Sequence, residues 1–182
     1  TPAQTKGPFY PVTPQKDKDF DLTRVDGNDG VAKGKEIWIE GIVQDTDGQV
    51  VADASVEIWQ ANAGGRYRHK KESYLAALDP NFGGCGRTIT GEDGSYEFRT
   101  VQPGPYPWLN YVNSWRPRHI HVSVFGSSFS QRLITQLYFE GDPLIPLCPI
   151  VKTIPDPDAV QRLIAVMDLN ASVPMDCLAY KF

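Results

Sequence analysis

Histidine, cysteine and methionine are scarce in this sequence, and their scarcity excludes several kinds of protein. The 182 residues include three histidines, three cysteines and two methionines. The cysteines are odd in number, widely spaced and form no C-x-x-C pair, which argues against a disulfide framework and against a structural zinc site. We therefore expect a reducing, cytoplasmic setting.

Long apolar runs and clusters of like charge are also absent. No stretch approaches the roughly 20 apolar residues that a membrane-spanning helix needs, and the opening T-P-A-Q is not typical of a signal peptide. The formal net charge is −4 without a basic run, so nucleic acid and anionic membranes are not expected partners. The length suits one domain with a sizeable core.

Turn-forming residues are abundant and favour short strands. The 16 glycines and 15 prolines are spread along the chain. Strand-like runs, separated by turns such as D-T-D-G and G-E-D-G, are predicted at 37–43, 55–60, 96–100, 119–125 and 134–139, with a further strand opening at 178–182.

Only one helix is predicted, at 156–167, where apolar residues recur at helical spacing after an Asp-Pro start. These elements favour a mainly β fold, an antiparallel β-sandwich with long loops and one helix in the C-terminal half. Residues 1–35 are interpreted as an N-terminal arm and residues 36–182 as the main domain.

Two of the three histidines are separated by a single residue. His119 and His121 lie in S-W-R-P-R-H-I-H-V-S-V, which is typical of a strand after Pro117. Because successive side chains of a strand alternate between faces, both imidazoles lie on the same face. Two histidines do not complete a metal site, since a catalytic zinc usually takes a third protein ligand.

The candidates for the remaining metal ligands differ in how well the sequence supports them. His69 lies in a basic stretch, and Glu140 and Asp142 are equally well explained as solvated loop charges. Tyr106 is held between two prolines in P-G-P-Y-P-W, and Tyr67 follows two glycines among cations that favour a phenolate. Either tyrosine alone could simply pack in a surface groove, but two phenolates and two imidazoles together suit a trivalent ion such as Fe(III).

Longer strings carry a family resemblance from residue 38 to the end of the chain. They include V-E-I-W-Q-A-N-A-G-G-R-Y-R-H-K, F-R-T-V-Q-P-G-P-Y-P-W, W-R-P-R-H-I-H and L-I-T-Q-L-Y-F-E-G-D-P-L-I-P. The chain resembles the intradiol ring-cleavage dioxygenases, and among them most closely the β-type chains that act on protocatechuate. These enzymes use O2 to cleave a catechol between its two hydroxyls, which would give a 3-carboxy-cis,cis-muconate from protocatechuate.

The resemblance implies a non-haem Fe(III) held by four residues of this chain. Tyr106 and His119 would be its axial ligands, and Tyr67 and His121 its equatorial ligands. Other positions also match the family. Arg116 corresponds to its active-site arginine and Gln136 to a polar residue near the iron. Trp108 and Ile150 correspond to residues that line the pocket. The opening G-P-F-Y matches an arm that edges the pocket, so Gly7, Pro8, Phe9 and Tyr10 are candidate substrate-binding residues.

Each of these roles has a structural alternative. Arg116 could instead form a salt bridge that shapes its loop, and Gln136, Trp108 and Ile150 could simply pack in the protein interior. The expected partner chain is an α-type subunit, with a homo-oligomer as the alternative. Another substituted catechol or hydroxyquinol is the alternative substrate. Two further hypotheses are a non-catalytic β-sandwich binding module and a zinc or Fe(II) enzyme that uses His119, His121 and a carboxylate.

Overall fold

The computed structural model describes residues 1–12, 19–110, 112–126, 131–173 and 176–182. Its strands are β1 Glu36–Ile42, β2 Ser55–Gln60, β3 Cys85–Ile89, β4 Ser95–Val101, β5 Tyr106–Pro107, β6 Trp115–Arg116, β7 His119–Phe125, β8 Arg132–Phe139, β9 Ile164–Val173 and β10 Cys177–Lys181. One helix, α1, spans Pro157–Gln161, and two short 3-10 turns span Ile145–Leu147 and Val151–Thr153. The expectation of a mainly β fold is confirmed.

The main sheet differs from the predicted pair of antiparallel sheets. In the described residues, eight strands form one hydrogen-bonded series in the order β3-β2-β7-β8-β9-β10-β1-β4, and β5 pairs with β6 beside it. The pairs β1–β10 and β8–β9 are parallel. The series curls around one core, because Ile58 of β2 and Phe98 of β4, near its opposite ends, lie in the same buried cluster.

The predicted helix at 156–167 is too long. Asp156 caps α1 by accepting a hydrogen bond from the Asp158 N–H, and proline follows it at the first helical position, as the sequence indicated. The helix ends at Gln161, and β9 then takes residues 164–167 into the sheet. The β-branched Ile164 begins this strand and pairs with β8, so tertiary pairing overrides the helical spacing of the apolar residues.

Strand prediction succeeded where side chains alternate and failed where they do not. The bounds of β2 and β7 are those predicted. Strand β3, C-G-R-T-I, was missed because it contains a glycine and lacks a clear apolar alternation. Strand β10 begins one residue before the predicted opening at 178.

The first residues of the chain lie along β8. The Gln4 N–H donates to the Ile134 carbonyl at 2.8 Å, and the Thr135 hydroxyl donates to the Pro2 carbonyl at 2.8 Å. Residues 13–18 of the predicted arm lie outside the described residues.

All three cysteines are free. In the part of the chain that the structure describes, no helix is long and apolar enough to cross a membrane.

Candidate active site

The four predicted ligand side chains converge on one buried spot. The hydroxyls of Tyr67 and Tyr106 each lie 3.4 Å from Nε2 of His119, and the ring centroids of His119 and His121 are 5.0 Å apart. Each of the four residues is at most 8% exposed. The strand β7 supplies both histidines from one face, as alternation predicts.

The two segments that carry Tyr67 and Tyr106 pack closely against each other. Tyr106 lies in β5, where it pairs with Arg116 of β6. The turn before Tyr67 is closed by the Asn62 side chain, whose oxygen accepts hydrogen bonds from the backbone N–H groups of residues 64 and 66. Gly65, with φ of +83°, lies so close to the other loop that an added Cβ would come 2.3 Å from the Pro105 carbonyl oxygen.

We expect Gly65→Ala to separate the two tyrosine loops. The new methyl group must displace the backbone of Pro105, in addition to the strain of a positive φ, so the free energy of unfolding should fall by at least about 2 kcal/mol. Gly48→Ala is a matched control, because Gly48 has a φ of +80° and nothing within 4 Å of an added Cβ. Denaturant unfolding of both variants tests this, and equal losses would contradict a steric role for Gly65.

Burial keeps both histidines neutral. Burial, then the nearby Arg116 guanidinium, holds the pKa of His119 well below its usual range, and the same two causes lower the pKa of His121 to about 3. Nδ1 of His119 donates to the Pro117 carbonyl at 2.7 Å in this neutral form, which leaves Nε2 as an acceptor facing the tyrosines. Neutral imidazoles are the form that binds metals.

The donor set fits a ferric ion. Burial raises the pKa of both Tyr67 and Tyr106, so a buried phenolate there requires a cation beside it. The 3.4 Å contacts to His119 are long for hydrogen bonds that involve a hydroxyl. Nδ1 of His121 is buried and has no hydrogen-bond partner in the described part of the chain. Two phenol oxygens and two imidazole nitrogens form a hard set suited to Fe(III).

The alternative ligands lie elsewhere. His69 accepts a hydrogen bond from the Lys71 N–H at 3.1 Å, Glu140 is exposed, and Asp142 accepts one from the Arg118 N–H at 2.9 Å. No group of three or more His, Cys, Asp or Glu side chains placed to hold a metal occurs within the residues that the structure describes. The zinc or Fe(II) hypothesis, which needed a carboxylate beside the histidines, therefore lacks its third ligand there.

Arg116 is buried beside the four predicted ligands, and its guanidinium is held by hydrogen bonds to side chains of β8. Its Nη2 donates to Oε1 of Gln136 and to the Tyr138 hydroxyl at 3.4 Å. Tyr138 in turn donates to the same Oε1 at 2.9 Å, while Nε2 of Gln136 donates to the Thr5 carbonyl at 2.8 Å. Nε of Arg116 has no partner among the described residues.

Gln136 is thus engaged with Arg116, Tyr138 and the N-terminal arm, and it is not among the residues that line the cavity. The sequence predicted Gln136 as a polar residue near the iron, and the structure shows it hydrogen-bonded to Arg116. The sequence interpretation missed Tyr138. It lies two residues after Gln136 on β8, so strand alternation was the signal that could have found it.

A cavity of about 730 Å³ opens beside the four ligands, a size that suits a small aromatic ligand. Five of the predicted pocket residues line it, together with Arg116 and two of the four predicted ligands: Gly7, Pro8, Phe9, Trp108, Ile150, Tyr106 and His121. Tyr10 lies outside the lining and packs against Trp59 instead. Sequence reasoning missed Glu72, Tyr74 and Leu75, which come from an irregular loop without a motif.

Comparison with known proteins identifies the family. A family model described as "Dioxygenase" matches residues 5–182. The protocatechuate 3,4-dioxygenase beta chain of Burkholderia cepacia is 42% identical over 194 aligned positions, which cover 97% of this chain and 82% of that protein. The chain belongs to the intradiol ring-cleavage dioxygenase family.

More distant members of the family span other substrates. Chlorocatechol 1,2-dioxygenase of Rhodococcus opacus is 34% identical over 134 positions, or 66% of this chain and 50% of that protein. The dioxygenase domain of a dioxygenase and carbohydrate-binding fusion from Streptomyces sp. SirexAA-E is 26% identical, with a TM-score of 0.67 over 100% of this chain and 96% of that one. As a member of this family the chain is an oxidoreductase. Its membership excludes the hypothesis of a non-catalytic β-sandwich binding module.

Proposed function

We propose that this intradiol dioxygenase holds a ferric ion on Tyr67, Tyr106, His119 and His121 and cleaves protocatechuate with O2 to 3-carboxy-cis,cis-muconate. The convergence of two phenols and two neutral imidazoles beside a cavity large enough for a substituted aromatic ring carries the proposal. When bound, ferric iron acts as a Lewis acid that accepts the catechol oxygens and makes the ring reactive toward O2. Residues 36–182 form the catalytic domain in this proposal, and residues 1–35 its arm.

Tyr106 is the residue that receives a substrate proton. It lines the cavity and its hydroxyl lies beside His119, so its oxygen would face the hydroxyl of a catechol bound there and would be one of the atoms that hold the iron. Burial raises the pKa of this phenol, so its oxygen favours the protonated form once no cation is beside it. If the Tyr106 phenolate were to leave a bound iron, its oxygen would therefore take up a proton from the substrate.

Arg116 stabilises negative charge on the substrate ring. The guanidinium stays ionised, lines the cavity and carries a buried Nε without a partner among the residues described. Preorganised cations in a buried site stabilise developing charge more strongly than they would in water. Gln136 contributes to catalysis by orienting Arg116.

A neutral substituted catechol or hydroxyquinol is the second candidate substrate. Among the described lining residues, the charged side chains are Arg116 and Glu72, and the guanidinium is engaged with Gln136 and Tyr138. A substrate carboxylate would need another cation, which an α-type subunit can supply. The relative named a beta chain supports such a hetero-oligomer, with a homo-oligomer as the alternative, and the free cysteines support a reducing, cytoplasmic location.

A substrate panel tests the proposal. The iron-loaded chain, alone and with a candidate α-type partner, is given protocatechuate, catechol, chlorocatechol and hydroxyquinol while O2 uptake and muconate absorbance are recorded. We expect one O2 consumed per ring cleaved, with protocatechuate the preferred substrate when the partner is present. A protein that takes up zinc at full occupancy, stays colourless with iron and cleaves none of the four diols would refute it.

A further inference from the structure

The N-terminal arm contacts two of the four ligand side chains. Gly7, with φ of +66°, lies so close to His121 that an added Cβ would come 3.2 Å from Cε1 of the imidazole. The Phe9 ring stacks on the Tyr67 ring, with centroids 4.6 Å apart and planes inclined by 29°. Residues 7–10, here called the arm segment, therefore help to set the position of one imidazole and one phenol.

One side chain of the arm segment donates a hydrogen bond to a buried carboxylate of the main sheet. The Tyr10 hydroxyl donates to Oε2 of Glu57 at 3.0 Å. The other carboxylate oxygen, Oε1, accepts from Nε of Arg87 at 3.1 Å, and these two residues pair directly across β2 and β3. Glu57 is 5% exposed, so its charge depends on such donors.

Tyr10 is also linked to the metal ligands through a neighbouring ring. Its ring packs edge-on against Trp59 at a centroid distance of 4.9 Å, and Trp59 stacks on His121 at 4.8 Å with planes inclined by only 5°. The Arg132 guanidinium lies 5.2 Å from the centre of the Tyr10 ring. Burial, followed by Glu57, raises the pKa of Tyr10, so its hydroxyl remains a donor at neutral pH.

We propose that Tyr10 is a positioning residue of the metal centre: its hydrogen bond to Glu57 fixes the arm segment against His121 and Tyr67. The earlier arm bonds all reach β8 at residues 134–136, whereas Tyr10 reaches β2 on the other side of β7. The arm segment therefore crosses over His121 of β7 and is anchored on both sides of it. The inference rests on the proposed function, because it treats His121 and Tyr67 as metal ligands.

The variant Tyr10→Phe tests this role, because it removes the hydroxyl and keeps the ring on Trp59. A hydrogen bond to a charged group is strong enough for its loss to raise local opening about tenfold. We expect amide exchange of peptides within residues 4–10 to rise by about that factor in the metal-free protein. In the iron-loaded protein we expect faster iron release to a chelator and a shifted visible band. Tyr96→Phe, a buried tyrosine of β4 packed on Phe98, is the matched control.

The two measurements separate failure of this inference from failure of the proposed function. Exchange in the metal-free protein reports on the arm whether or not iron binds. Unchanged arm exchange in Tyr10→Phe would overturn the inference, as would faster exchange with unchanged iron release and an unchanged band. If the unaltered protein bound no iron while Tyr10→Phe still loosened the arm, the proposed function would fail, and only the anchoring of the arm by the Tyr10–Glu57 hydrogen bond would stand.

Discussion

Tyr67→Phe is expected to weaken strongly the visible band of the iron-loaded protein, which would arise from charge transfer from the phenolates to Fe(III), and to lower iron affinity more than about 100-fold. Altering residues that only support metal ligands commonly costs 10- to 100-fold in affinity, so loss of a ligand atom should cost more. The metal-free variant should keep its stability within about 1 kcal/mol, because the Tyr67 hydroxyl makes a long contact of 3.4 Å to His119 and otherwise interacts with the neutral hydroxyl of Tyr106. Metal titration with absorption spectroscopy and a denaturant melt measure both effects.

Tyr180→Phe is the appropriate control for this first experiment. Tyr180 is a buried tyrosine of β10 that packs on Phe139, in the main core rather than at the site. It should keep the colour and the iron affinity of the unaltered protein. A Tyr67→Phe variant that bound iron as tightly as the control, with the same band, would remove Tyr67 from the ligand set.

Arg116→Ser is expected to lower kcat about 10²- to 10³-fold while the protein keeps its iron and its colour. Removal of one preorganised group that stabilises developing charge typically costs that much. Arg116 is not itself a proposed ligand, so metal binding should survive its loss. The substitution also leaves Gln136 and Tyr138 without their buried cation, so some loss of stability is expected as well.

The neighbouring Arg118→Ser is the control for this second experiment. Arg118 is partly exposed, and its guanidinium lies 3.8 Å from the buried carboxylate of Asp142, which also accepts hydrogen bonds from the backbone N–H groups of Arg118 and Leu144 that the substitution keeps. Steady-state kinetics with iron occupancy measured on the same samples separate a slow enzyme from an empty one. Equal kcat values for the two variants at equal iron content would exclude Arg116 from the reaction.

Local pattern was sufficient wherever a function depends on neighbours in the chain. The H-x-H pair on a strand required both imidazoles to share a face, and the structure has them on one face of β7. Tyr106 between two prolines is held in place as a buried residue of β5. The cap at Asp156 was equally readable, since capping involves residues only two apart.

Local pattern was insufficient wherever strands paired across the chain. The run at 164–167 has helical spacing, yet it forms a strand because β8 and β10 offer it backbone partners. Gln136 was predicted only as a polar residue near the iron, and its place beside Arg116 depends on Tyr138 and on the carbonyl of Thr5. Nothing in the local sequence of Tyr10 points to Glu57, 47 positions away.

The sequence by itself determined the family, the strand-rich character and the residue types that can hold a ferric ion, because these depend on motifs and on side-chain periodicity. Only the tertiary structure decided that the strands close into one mixed, curled sheet, which atoms support Arg116, and how the arm is fastened over the ligands. The physical reason is that hydrogen bonds and ring contacts between distant segments depend on distances in space, whereas periodicity and spacing record only distances along the chain.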